Sequence, residues 1–134
     1  ATHVWPRWGE YDIIEGVHTA TNVMTSLHSG PDCNQSSVGR DTNSNVEQVR
    51  WVQGRRGHPA DNCDVTAPDQ WKNQGCSQQG PDSSMGTAFN MGGGGTYVAE
   101  WDPKAGHIRT WFWSKGTEPK NLELRQPDPS SWGQ

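Results

Sequence analysis

The stretch WPRWGEYDIIEGVH, residues 5 to 18, holds Glu10, Asp12 and Glu15 within six residues, interleaved with Tyr11, Ile13 and Ile14. Tyrosine and isoleucine suit a pleated, half-buried strand, so the acids stand on a segment built for a sheet. One reading makes them the solvated side of an amphipathic strand over Tyr11 and Ile13. Period-two alternation, however, puts Glu10 and Asp12 on one face and Glu15 on the other, where a carboxylate competes with Ile13 for the core. One residue inserted near Ile13 or Ile14, a β-bulge, shifts the parity and brings all three acids to one surface. Carboxylates crowded together favour keeping one member protonated, which suits proton transfer. A pair roughly 5 Å apart serves retaining glycoside hydrolysis, one acid as nucleophile and the other as general acid. Three acids also make a cation site, and spacing alone leaves both chemistries open.

The elements that must position these residues are strands. Residues 10 to 28 read as two, GEYDIIEGV and NVMTSLH, joined by the turn-prone residues 18 to 21; Val23, Thr25 and Leu27 alternate with Met24, Ser26 and His28. Residues 29 to 84 form a polar excursion, interrupted only by the run EQVRWVQ, with too little periodic apolar content for a helix and a need for disulfides to hold it. The pattern then recovers as TAFNM, four glycines, TYVAEW, a DPKAG turn and HIRTWFW, and the last two runs pair as a hairpin. Trp111 and Trp113 fall on one face of that hairpin and Phe112 on the other. The glycine run is no phosphate loop, since no Lys follows it; it serves a turn or a close approach, to a neighbouring strand or to a ligand. No convincing helix and no internal repeat is legible, although EPKNLEL suits one short helical turn.

At 134 residues the chain has room for one domain, but only 30% of it is apolar, and 16 Gly and 9 Pro stand beside 8 Trp. That balance favours an all-β fold with a thin core, and indoles employed for more than filling. A formal charge of −4 without a basic stripe argues against nucleic acid and anionic membrane as partners and favours an uncharged ligand. No segment has the length of a membrane span. The three cysteines Cys33, Cys63 and Cys76 lie in polar surroundings, which points to a secreted protein with at least one disulfide and one sulfur left over. Asn34, with Gln35 and Ser36, is an N-glycosylation acceptor in such a setting. The five histidines, His3, His18, His28, His58 and His107, show no paired metal-ligand spacing.

The residues carry a resemblance. GEYDIIEG resembles the E-x-D-x-x-E signature of glycoside hydrolase family 16, in a setting similar to the fungal-type laminarinase and endo-β-1,3(4)-glucanase branch. Trp5 and Pro6 match the Trp-Pro before that signature, SLHSG the strand after it, and NCDV with Gly75 and Cys76 the cysteine-bearing loop. TAFNMGGGGTYVAEW, HIRTWFW and SSWG match later strands in the same order. The resemblance implies a concanavalin A-like β-jelly-roll sandwich with an open cleft, acting inside chains of β-1,3- or β-1,3-1,4-glucan with no cofactor and no metal. It implies Glu10 as nucleophile, Asp12 as its electrostatic partner, Glu15 as general acid/base, Trp5 as a sugar-stacking indole and His28 as a cleft histidine. Arg7 and Trp8 depart from the small or polar residues the family places there. Residues 1–134 resemble the central portion of one such domain, with no second domain, so that further strands or another chain are expected to complete the sheet. The alternative is an extracellular glucan-binding or structural protein that kept these strands and lost turnover.

Overall fold

A computed structural model describes residues 4–38 and 50–133; His3 and residues 47–49 of the EQVRWVQ run lie outside them. Strands dominate. Strands β1 (Glu10–Glu15), β2 (Met24–His28), β3 (Arg50–Trp51) and β4 (Cys76–Gln79) form an antiparallel sheet in the order β1-β2-β4-β3. Strands β5 (Gly95–Asp102) and β6 (His107–Ser114) form a separate hairpin whose eight residue pairs run without slip from Gly95 with Ser114 to Asp102 with His107. The DPKAG turn closes it because Asp102 Oδ1 accepts the backbone N–H groups of Lys104 and Ala105, at 2.9 and 3.0 Å. Those bonds hold the Asp102 carboxyl below the usual carboxylate range.

The hairpin lies against one face of the four-stranded sheet. Tyr11 of β1 reaches across to Thr110 of β6, with Thr25 of β2 as a further partner; burial pushes its phenol up, and these hydrogen bonds oppose the shift. The inner faces of the two layers line a gap of about 1030 Å³ that includes Tyr11, Ile13, Val23, Leu27, Ile108 and Phe112. Ile13 and Trp101, which also border it, remain 44% and 76% exposed. The tightly buried apolar residues are small ones, Val23, Ala60, Cys63, Val65, Ala67 and Cys76. The thin core expected from composition is therefore concentrated under the 60–76 loop, with Val23 and Cys76 carrying it to the edge of the gap between the layers.

Trp111 and Trp113 occupy the outer face of the hairpin, where Trp132 meets both edge-on at 5.3 and 5.2 Å between ring centroids. Phe112 points the other way and packs on Tyr97 and Phe89. TAFNM is helical, as α1 (Gly86–Met91), where no helix was legible. A six-residue helix shows no 3.6 period, and what fixes this one is tertiary: Phe89 docks between Tyr97 and Phe112. The glycines that follow divide the work. Gly93 and Gly94 take φ of +88° and +92°, and a Cβ on Gly95 would stand 2.4 Å from the Trp113 carbonyl oxygen, so the close approach is to a neighbouring strand. The EPKNLEL segment supplies the single turn α2 (Lys120–Glu123).

Cys63 and Cys76 are disulfide-bonded across 13 residues, and Cys33 is free. The loop between them has little apolar content but orders its polar groups well. The buried Gln70 side chain accepts from Asn62 N and donates to the carbonyls of Asn62 and Gly75, at 2.7–2.8 Å. Closing a loop of this length removes about 3 kcal/mol of unfolded-state entropy in the chain-entropy model. Replacing both cysteines with Ala is expected to lower the unfolding free energy of the intact protein by about that amount in urea titration. An unchanged midpoint would assign the loop's order to the Gln70 bonds alone.

Candidate active site

The parity problem of β1 is solved where the sequence requires it. Asp12 pairs with Ser26 and Glu15 with Met24, so three steps on β1 match two on β2, and the register shift lies between Asp12 and Glu15. The bulge turns Glu15 to the face carrying Ser26 and His28, while Ile13 stays with Tyr11 on the side of the gap.

Each acid then has a distinct partner on that face. Glu15 Oε2 accepts from Ser26 Oγ at 2.6 Å, and Ser26 Oγ lies 2.9 Å from Ser77 Oγ of β4. Asp12 Oδ2 is 3.2 Å from His28 Nε2. Glu10, paired in register with His28, accepts from the Trp5 indole N–H, and the Trp5 ring stands 5.9 Å from the His28 ring. Trp5, Glu10, Asp12, Glu15 and His28 therefore come together on one surface. Glu10 is exposed, Asp12 and Glu15 are half-buried, and Trp5 is 45% exposed. The arrangement supplies an open carboxylate beside an indole face, a second carboxylate on a histidine, and a third held by a hydroxyl.

His28 is itself fixed from behind. His28 Nε2 and Asp12 Oδ2 lie within hydrogen-bond distance; in the neutral tautomer in which Nε2 donates to Asp12, Nδ1 is left as a bare acceptor. Nδ1 is buried and unpartnered among the described residues, a cost of about 1–3 kcal/mol. Gly75 lies directly against it: a Cβ there would stand 2.7 Å from Nδ1 and 2.4 Å from the Leu27 carbonyl oxygen, at φ +65°. Gly75→Ala is expected to push the imidazole off Asp12 and to destabilise the protein by about 2 kcal/mol, seen as a lower melting temperature and a lost Asp12–His28 imidazole N–H resonance. A variant with parental melting and an intact resonance would show that the ring has slack.

The other residues singled out in the sequence lie elsewhere. Asn34 is exposed and its Oδ1 accepts the Ser36 N–H at 2.8 Å. Cys33 borders the gap between the layers. His107 stands 3.4 Å from Glu100 on the hairpin, where Glu100 also pairs with Arg109 at 2.7 Å. Ser26, Ser77 and Gly75 were not foreseen. Ser26 shares the period-two face of His28 and was findable; Ser77 reaches the site only through strand order, which no local pattern carries. Among the described residues no group of three His, Cys, Asp or Glu side chains is disposed to hold a metal ion, and no helix is long and apolar enough to cross a membrane.

Comparison with known proteins matches this geometry to a family. The model of the XgeA-like, catalytic GH16 domain matches residues 1–134. An endo-1,3(4)-β-glucanase of Arthroderma benhamiae is 36% identical over 96% of the chain, and a probable glycosidase of Schizosaccharomyces pombe is 33% identical over 97%. The chain spans 25% and 28% of the length of those two relatives. Among solved structures, an elongating GH family 16 β-1,3-glucosyltransferase superposes with a TM-score of 0.73 at 31% identity, over 99% of this chain and 38% of its own. Laminarinase 16A from Phanerochaete chrysosporium, with β-glucans in donor and acceptor sites, gives 0.66 at 29% identity, over 91% of this chain and 36% of its own.

Proposed function

Because the chain belongs to glycoside hydrolase family 16, within its XgeA-like catalytic group, we propose that it carries the catalytic strands of a secreted, retaining, endo-acting β-1,3- or β-1,3-1,4-glucan hydrolase. The observation that carries this reading is the bulge between Asp12 and Glu15, which puts three carboxylates with three different partners on one face.

Glu10, the most open of the three, attacks the anomeric carbon as the glycosidic bond breaks, and Glu15 gives its proton to the departing oxygen. Water then attacks the glycosyl-enzyme, its proton passes to Glu15, and the Glu10 carboxylate leaves. Asp12, tied to His28, is the electrostatic partner of Glu10, and Trp5 offers an indole face to a sugar ring while its N–H orients Glu10. The gap lined by Tyr11, Ile13 and Phe112 is the face that further strands of the sandwich, or another chain, would complete. Asn34, exposed on its loop, is the glycosylation site.

The test is a product assay on laminarin and on lichenan with the intact protein. New reducing ends and shortened oligosaccharides are expected, with the β configuration retained at the first-formed anomeric centre. Lengthened oligosaccharides without new reducing ends would replace water by a sugar acceptor in the second step, as in the glucosyltransferase relative. Binding without any product would favour the glucan-binding alternative.

A further inference from the structure

The geometry points to Ser26 and Ser77 as positioning residues that decide which oxygen of Glu15 carries the transferable proton; the inference rests on the acid/base role proposed for Glu15. The three side chains form a row across neighbouring strands: Glu15 on β1, Ser26 on β2, Ser77 on β4. Ser26 is 1% exposed and Ser77 5%, so the serine end of the row lies away from water, where hydrogen bonds are stronger and unmade ones costly.

Proton counting gives the row a direction. Each serine owns one hydroxyl proton. Ser77 Oγ has no hydrogen-bond partner but Ser26 Oγ among the described residues. If Ser26 donated to Ser77, the Ser77 proton would be buried without an acceptor and Glu15 Oε2 would lose its donor. Only the order Ser77 to Ser26 to Glu15 satisfies every proton. The 2.6 Å between Ser26 Oγ and Glu15 Oε2 is the length of a hydroxyl-to-carboxylate bond.

The consequence is chemical. Oε2 is held as an acceptor whether or not the carboxyl group is protonated, so the proton that leaves for the glycosidic oxygen resides on Oε1. The same bond restrains rotation of the carboxyl group and keeps Oε1 turned from the sheet toward the cleft. The far end of the row is fixed in turn, because Ser77 follows the disulfide-bonded Cys76 and its backbone bonds Ala60 and Val52. A pair of serines that only packed the sheet would need neither the carboxylate nor a direction.

The experiment compares the intact protein with Ser26→Ala, Ser26→Cys and Ser77→Ala on two substrates: laminarin oligosaccharides, whose leaving group needs a proton, and a dinitrophenyl β-laminaribioside, whose leaving group does not. For Ser26→Ala, kcat/KM on the oligosaccharide is expected to fall about tenfold, while kcat/KM on the dinitrophenyl substrate stays within about twofold. Ser26→Cys, nearly isosteric with a weaker donor, falls between. Ser77→Ala, which does not touch Glu15, shows the same selectivity at about threefold, and remains decisive if the Ser26 variants fail to fold. Equal losses on both substrates, or no loss on either, would overturn the inference. Glu15→Ala run alongside separates the two levels: if it too lacks leaving-group dependence, the acid/base assignment fails; if it has it and the serine variants do not, only the row does.

Discussion

Glu10→Ala is expected to fold as the parent does and to lower turnover on β-1,3-glucan by roughly 10⁴-fold or more, the scale seen when one member of a catalytic unit is deleted. The side chain is exposed, and among the described residues it accepts one side-chain hydrogen bond, from Trp5, so its removal takes little from stability. What it takes, under the proposed roles, is the nucleophile, and with it the covalent intermediate that gives retention. Added azide should enter the vacated space from the face opposite the leaving group and restore turnover in a single displacement, with inversion. The product is then the α-glycosyl azide, identified by its anomeric proton coupling. Parental turnover on glucan by a folded Glu10→Ala protein would remove the nucleophile assignment and favour a binding protein.

What the sequence could show of this site followed from conflict. A strand with Tyr11, Ile13 and Ile14 carrying three acids cannot satisfy period-two burial, and the one local repair is a bulge of one residue between Asp12 and Glu15, where the register shift lies. The hairpin was legible for the opposite reason: alternation, turn chemistry and β-branched or aromatic content all agree from Thr96 to Trp113. Helix α1 was not, because its apolar face is one residue, Phe89, and the contact that fixes it comes from Tyr97 and Phe112. Nor was the place of β4. CSQQ is polar and short, and it enters the sheet between β2 and β3 through partners far away in sequence. Its Ser77, beside Ser26, and Gly75, behind His28, are candidate-site residues that only the pairing of distant segments reveals. The outer packing of Trp111, Trp113 and Trp132 was open in the same sense, since alternation separates two faces without saying which one another segment covers.

Glu15→Ala should fail in a different way from Glu10→Ala, and the difference is the sharper test of the proposed roles. Loss of the proton donor slows cleavage of glucan by on the order of 10²–10⁴-fold, but a dinitrophenyl leaving group departs unaided, so the first step on that substrate survives. The second step does not, because no base remains to activate water, and the glycosyl-enzyme on Glu10 should accumulate as a burst of dinitrophenol and an added glycosyl mass on the protein. Azide needs no base. It should intercept that intermediate from the face the leaving group vacated and give the β-glycosyl azide, the opposite anomer to that from Glu10→Ala. The two anomers therefore assign the two carboxylates independently of any rate. The same anomer from both variants, or inversion from Glu15→Ala, would mean that the bulge delivers Glu15 to the face without giving it the proton-transfer role, and the mechanism would have to place its acid elsewhere.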